Sequence, residues 1–166
     1  MPYKEVTMKH IIQILLIILF IPLLSYSSTI EEDKSLAELG NSGAAFRLGA
    51  KYLNGNGVEK DYEKAKYYLE IAAKKNHSYA LYDLGYMYLY GEGVAQDYFK
   101  AYEYFERSAD YDFPPAYYIM GIMYYDGAGV KQNNKKAYEL CKKAIDKGYK
   151  TSAIILDHDN KTIIVK

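Results

Sequence analysis

From residue 44 onwards, apolar positions recur at helical spacing. Ala44, Leu48 and Tyr52 lie four residues apart and so share one face of a helix. Further on, Ala65, Leu69, Ala72 and Ala73 make a second such face, whose small side chains permit tight packing. The whole pattern then returns every 36 residues. Ala44, Ala80 and Ala116 keep this period, as do Gly49, Gly85 and Gly121, and Tyr52, Tyr88 and Tyr124. Gly55-Asn56-Gly57-Val58 recurs as Gly91-Glu92-Gly93-Val94 and as Gly127-Ala128-Gly129-Val130, each followed by Ala65, Ala101 or Ala137. A fixed period of this length marks stacked repeats. The prediction is an all-α chain of three helix-turn-helix units over 44–79, 80–115 and 116–151.

Punctuation supports the same division. Gly49, Gly85 and Gly121 fall inside the first helix of each unit, where glycine costs about 1 kcal/mol against alanine. A cost taken three times implies a second helix too close for a Cβ. The G-x-G-V segment ends that helix through glycine's left-handed backbone, and its valine turns back into the core. Asp61, Asp97 and Asn133 are placed to cap the second helices. Ser78 is placed to cap the next first helix, and Pro114 and Pro115 suit a first helical turn.

The ends depart from the period. Leu36-Ala37-Glu38-Leu39-Gly40 aligns with the close of a second helix, so 29–43 reads as a capping half-unit. Ser152 to Leu156 starts a fourth first helix, in which Ile154, Ile155 and Leu156 cover the last apolar face. Asp157 stands where the glycine is expected, and no G-x-G-V follows, so 152–166 is a C-terminal cap and tail. Thr162-Ile163-Ile164-Val165 is strand-like in composition.

Residues 1–28 carry another pattern. Lys4, Lys9 and His10 precede an apolar run from Ile11 to Leu24, broken by Gln13 and Pro22, and Ser25, Ser27 and Ser28 follow. Basic, then apolar, then small is the order of a secretory signal, with cleavage expected near Ser27 or Ser28. The run is shorter than the roughly 20 residues of a membrane-spanning helix. The expectation is an exported protein, periplasmic or secreted, touching a membrane only if this segment stays uncleaved.

These motifs resemble the Sel-one-like repeat family, relatives of tetratricopeptide repeats. Its pattern is an alanine, L-G-x-x-Y, G-x-G-V, an acidic residue, K-A and a closing A-A. The first copy has Ala44, Leu48-Gly49, Tyr52, Gly55, Gly57-Val58, Asp61, Lys64-Ala65 and Ala72-Ala73. The second differs at Ser108-Ala109, and the third at Met120, Asn133 and Ala144-Ile145. The resemblance covers about residues 36–153. It implies a right-handed α/α superhelix, a solenoid with partial capping helices, whose first helices line the concave side. It also implies scaffolding or assembly of protein complexes, often at bacterial envelopes or between microbe and host.

Composition narrows the function further. The 166 residues hold 21 basic and 21 acidic side chains, with a pI near 6.8, so nothing points to nucleic acid. Tyrosine is overused, at 21 against 5 Phe and no Trp, and suits half-buried helix surfaces and binding surfaces alike. Cys141 is the only cysteine; no internal disulfide can form, and its mid-helix position reads as buried and inert. Beyond residue 28 the histidines are His77, read as a solvated loop residue, and His158. Asp157-His158-Asp159 is poorly organised for a metal, and no nucleophile or metalloprotease motif is present. The G-x-G triplets each follow a helix rather than a strand, which excludes a phosphate cradle. Glu63 with Lys66 and Glu139 with Lys143 read as a solvated helix face. Neither a cofactor, a metal nor catalysis is expected.

Shape and surface chemistry remain. Opposite the core face, the first helices carry Phe46, Arg47, Ala50 and Asn54, then Tyr82, Asp83, Tyr86 and Tyr90, then Tyr118, Ile119, Ile122 and Asp126. Such an aromatic stripe either packs between neighbouring first helices or binds a protein or peptide, and Tyr86 and Tyr90 are expected to be the free ones. The competing functions are cell-wall or β-lactam binding or hydrolysis, as the resemblance to cysteine-rich relatives implies, and self-assembly through imperfectly capped ends. The first is weakened because the paired cysteines of those relatives are absent.

Overall fold

The computed structural model describes residues 30–157 and 159–165. The expected signal segment at 1–28 and His158 lie outside the described residues. Among the described residues, seven helices and one hairpin follow in chain order: α1 (30–38), α2 (Ser42–Asn54), α3 (Tyr62–Ala73), α4 (Ser78–Tyr90), α5 (Tyr98–Asp110), α6 (Pro114–Asp126), α7 (Asn134–Asp146), β1 (Ile154–Asp157) and β2 (Thr162–Val165). Within each repeat the two helices pack together, α2 on α3, α4 on α5 and α6 on α7. Successive pairs join through α3 on α4 and α5 on α6, as expected of a solenoid.

The core runs between the two helix rows. One cluster joins Ala37 of α1 to Leu48, Leu69, Leu81, Leu84 and Met87; a second joins Tyr88 and Phe105 to Met120, Met123, Cys141 and Ile163. The in-helix glycines sit where the rows touch. A Cβ on Gly49 would fall 2.6 Å from Leu69 Cγ, and one on Gly85 2.6 Å from Phe105 Cε1. On Gly121 it would collide with Cys141 Sγ. Gly93 and Gly129 meet a different neighbour, since a Cβ there would strike Tyr62 or Tyr98, at the start of the preceding second helix. The second glycine of the second and third triplets therefore seats its repeat on the one before it.

All three second helices have side-chain caps. Asp61, Asp97 and Asn133 accept from the backbone N–H groups of Lys64, Lys100 and Lys136 at 2.9, 3.0 and 3.0 Å, as predicted. Ser78 does not cap α4, contrary to expectation. It is the first helical residue, and His77 holds the cap position without a side-chain hydrogen bond. Ser108, which breaks the closing alanine pair, is buried and donates its hydroxyl to Ser78 O at 2.9 Å.

The C-terminal cap is not a helix. β1 and β2 form an antiparallel hairpin with Ile154 opposite Val165 and Leu156 opposite Ile163. Both strands pack on α7, where Ile154 and Ile163 are buried, while Ile155 and its partner Ile164 face outwards. Runs of β-branched residues, Ile154-Ile155 and Thr162-Ile163-Ile164-Val165, favour a strand over a helix. The turn between the strands suits its sequence: Asp157 accepts from the N–H groups of Asp159 and Asn160, and Lys161 takes a positive φ of 51°. The expected apolar cover is thus supplied by period-two alternation.

Candidate interaction surface

Rings link the first helices in a ladder with the period of the repeat. Phe46 stacks on His77 at 4.6 Å, Tyr82 meets Phe113 edge-on at 5.1 Å, and Tyr118 meets Tyr149 at 4.8 Å. In each pair the second ring immediately precedes the next first helix or, after α7, occupies the equivalent place. Aromatic pairs at these separations add about 0.5–1.5 kcal/mol to the area they bury. The stripe is therefore partly structural: Tyr118 and Ile119 are buried, and burial holds the Tyr82 phenol far above its usual range. His77 is not the solvated loop residue expected, because its Nδ1 is buried without a partner and burial lowers its pKa.

The polar members of the stripe separate. Arg47 donates from Nε to both carboxylate oxygens of Asp33 at 3.1 and 3.2 Å and from Nη2 to Asp33 Oδ1, tying α2 to α1. Lys51 reaches the same buried carboxylate at 3.9 Å. Asn54 is exposed and donates to Ala50 O in its own helix. Asp83 is half-buried, and burial pushes its carboxyl up to about 7.

Towards the ends of α4 and α6 the stripe opens. Tyr82, Tyr86 and Tyr90 follow one another at 4.9 and 5.4 Å, the middle ring also resting on Phe105, and Tyr90 ends the row 62% exposed. Tyr90, Ile119, Ile122 and Asp126 border a cleft of about 670 Å³. The structure thus brings Tyr90, Ile122 and Asp126 together, packs Phe46, Tyr82 and Tyr118 against neighbouring rings, and pairs the exposed Arg47 with Asp33. The cleft also uses Leu89, Gln96, Tyr98 and Met123, none of which was predicted. Gln96 was findable, since it and Gln132 stand 36 residues apart and donate to Leu89 O and Tyr125 O at 2.8 and 2.7 Å.

No catalytic grouping emerges on this face. Cys141 lies buried beneath Gly121, and its thiol is pushed up to about 12, which keeps it protonated at neutral pH.

The sequence matches the Sel1 repeat at residues 42–77, 78–110 and 114–149. The fold is similar to the crystal structure of a Sel1 repeat protein from Oxalobacter formigenes, at 36% identity and a TM-score of 0.65, covering 72% of this chain and 90% of that one. It is also similar to a protective antigen of uropathogenic Escherichia coli strains that displays an SLR fold, at 34% identity and a TM-score of 0.69. There the match covers 72% of this chain but 26% of the antigen, about a quarter of its length. Helicobacter pylori cysteine rich protein B shares the fold at 24% identity and a TM-score of 0.59, over 76% of this chain and 90% of that one. No curated protein matches the sequence.

Proposed function

Because the chain belongs to the Sel1 repeat family, whose members generally act as protein–protein interaction scaffolds, we propose that it is an exported, non-enzymatic scaffold holding a protein or peptide segment on the open face of its first helices. The observation that carries the reading is the cleft between the ends of α4 and α6, with Tyr90 exposed at its rim. An exposed tyrosine beside half-buried apolar side chains is the composition of a binding hot spot. Export rests on the basic, apolar and small order of residues 1–28, and mass spectrometry of the mature N-terminus tests it.

The binding test compares two exposed tyrosines. Tyr90→Ala alters the cleft, whereas Tyr67→Ala alters an equally exposed ring on α3. Affinity capture from the native host should lose its specific partner with Tyr90→Ala and keep it with Tyr67→Ala. Identical capture by both would remove the cleft from the function.

A further inference from the structure

Two carboxylates belong to the first-helix stripe, Asp83 on α4 and Asp126 on α6, and among the described residues neither has a hydrogen bond or counter-ion. Neither helix contains a lysine or arginine. Asp83 lies one helical turn from Tyr79 and Tyr86, half-buried and unpaired. Asp126 stands exposed in the cleft with Tyr90. The neighbouring position is treated differently. Arg47, 36 residues before Asp83, is a cation whose carboxylate partner, Asp33, is supplied by α1. The fold therefore neutralises the charge on α2 and leaves those on α4 and α6 uncompensated.

A partly desolvated carboxylate without a partner is held at a cost that an incoming cation relieves. Burial alone pushes Asp83 up to about 7, a direct expression of that cost. The tyrosine faces around it add a second attraction, since an ammonium or guanidinium over such a ring is stabilised by its quadrupole. The chain already uses this contact between its helix rows, with Lys64 over Tyr52, Lys100 over Tyr88 and Lys136 over Tyr124 at 5.3, 4.3 and 4.6 Å. Among the described residues, no lysine or arginine stands over Tyr79, Tyr82, Tyr86 or Tyr90 of α4.

We infer that the segment held on this face carries lysine or arginine between apolar side chains, the cations meeting Asp83 and Asp126 and an apolar side chain entering the cleft beside Tyr90 and Ile122. The inference rests on the scaffold reading above and adds the chemical class of the partner.

Three labelled peptides on one leucine–alanine framework test it, bearing arginine, glutamine or glutamate at the same positions. They are titrated onto the full chain by fluorescence anisotropy at low and high salt. The arginine peptide should bind roughly tenfold tighter than the glutamine peptide, the glutamate peptide weakest, and the preference should shrink as salt screens it. The double substitution Asp83→Asn with Asp126→Asn should abolish the arginine preference while circular dichroism stays unchanged. A glutamine peptide that binds as well as the arginine one, or a preference that survives the double substitution, overturns the cationic assignment and leaves the scaffold reading intact. Failure of all three peptides also overturns it, and the Tyr90→Ala capture comparison then decides the scaffold reading on its own.

Discussion

His77 lies against Phe46 with the ring planes 22° apart, and this stack buries its Nδ1 where no hydrogen-bond partner reaches it. The next repeat places Phe113 in the same role against Tyr82. An imidazole is thus doing a phenyl ring's work while leaving a polar atom unsatisfied. His77→Phe should stabilise the protein by about 1 kcal/mol at neutral pH, the usual cost of one such group. The sign of its pH dependence follows from the lowered pKa. The native state favours neutral imidazole, so stability is full above the ordinary value of 6.5 and is lost as pH falls through and below it. Thermal unfolding should therefore show the variant's advantage growing from pH 8 to pH 5. An advantage that is flat or shrinks in acid would remove this account.

Gly85 tests the close approach of the two helix rows. By intrinsic propensity alone, alanine there would gain up to about 1 kcal/mol. Against it stands the collision of a Cβ with the Phe105 ring, 2.6 Å away, in a fully buried site. Overpacking of this kind costs about 1–3 kcal/mol and should win. Gly85→Ala should lower the urea midpoint, and a raised midpoint would show that the rows can spread without loss.

The helix pairs, the three glycine contacts and the caps at Asp61, Asp97 and Asn133 were all legible, because each depends on local chain geometry and recurs in register. The division of the aromatic stripe was not. Phe46, Tyr82 and Tyr118 share a helix face with Tyr86 and Tyr90, and helical periodicity reports only that face. Their separate fates depend on His77, Phe113 and Tyr149, three different ring types whose shared place before the next helix is visible only by aligning rings rather than identities. The binding cleft was half legible for a similar reason. Its apolar floor continues the predicted stripe, but Gln96 and Tyr98 reach it from a connecting loop and the start of α5. At the C-terminus, Ile154 to Leu156 is too short a run to distinguish a helical period from a strand's, and the 36-residue register suggested a helix.

Asp83 gives a pH dependence of opposite sign to that of His77. With its carboxyl raised to about 7, the native protein keeps a proton that the unfolded chain releases near 3.8. The stabilisation is full below 3.8 and is lost as pH rises through about 7. Asp83→Asn should match the wild type near pH 4 and exceed it near pH 8 by about 2 kcal/mol, allowing for solvent screening at a half-buried position. Denaturant unfolding of both proteins at the two pH values checks this. An equal difference at both would mean that the carboxyl titrates normally.

Adjacent residues of the hairpin should respond oppositely to charge. Ile163 is 2% exposed and faces α7, whereas Ile164 is 50% exposed on the outer side, opposite Ile155. Because strand side chains alternate, a one-residue difference decides whether a charge is buried against the last helix or solvated. Ile163→Lys should cost about 3 kcal/mol or more, through lost burial and a charge without a partner, and should expose α7 to early amide exchange. Ile164→Lys should fold with stability within about 0.5 kcal/mol of the original. It should also lower any self-association through the outer Ile155–Ile164 patch, which light scattering would register. If the two substitutions proved equally harmless, the hairpin would not be the cover of the last repeat, and α7 would have to be stable with its apolar face bare.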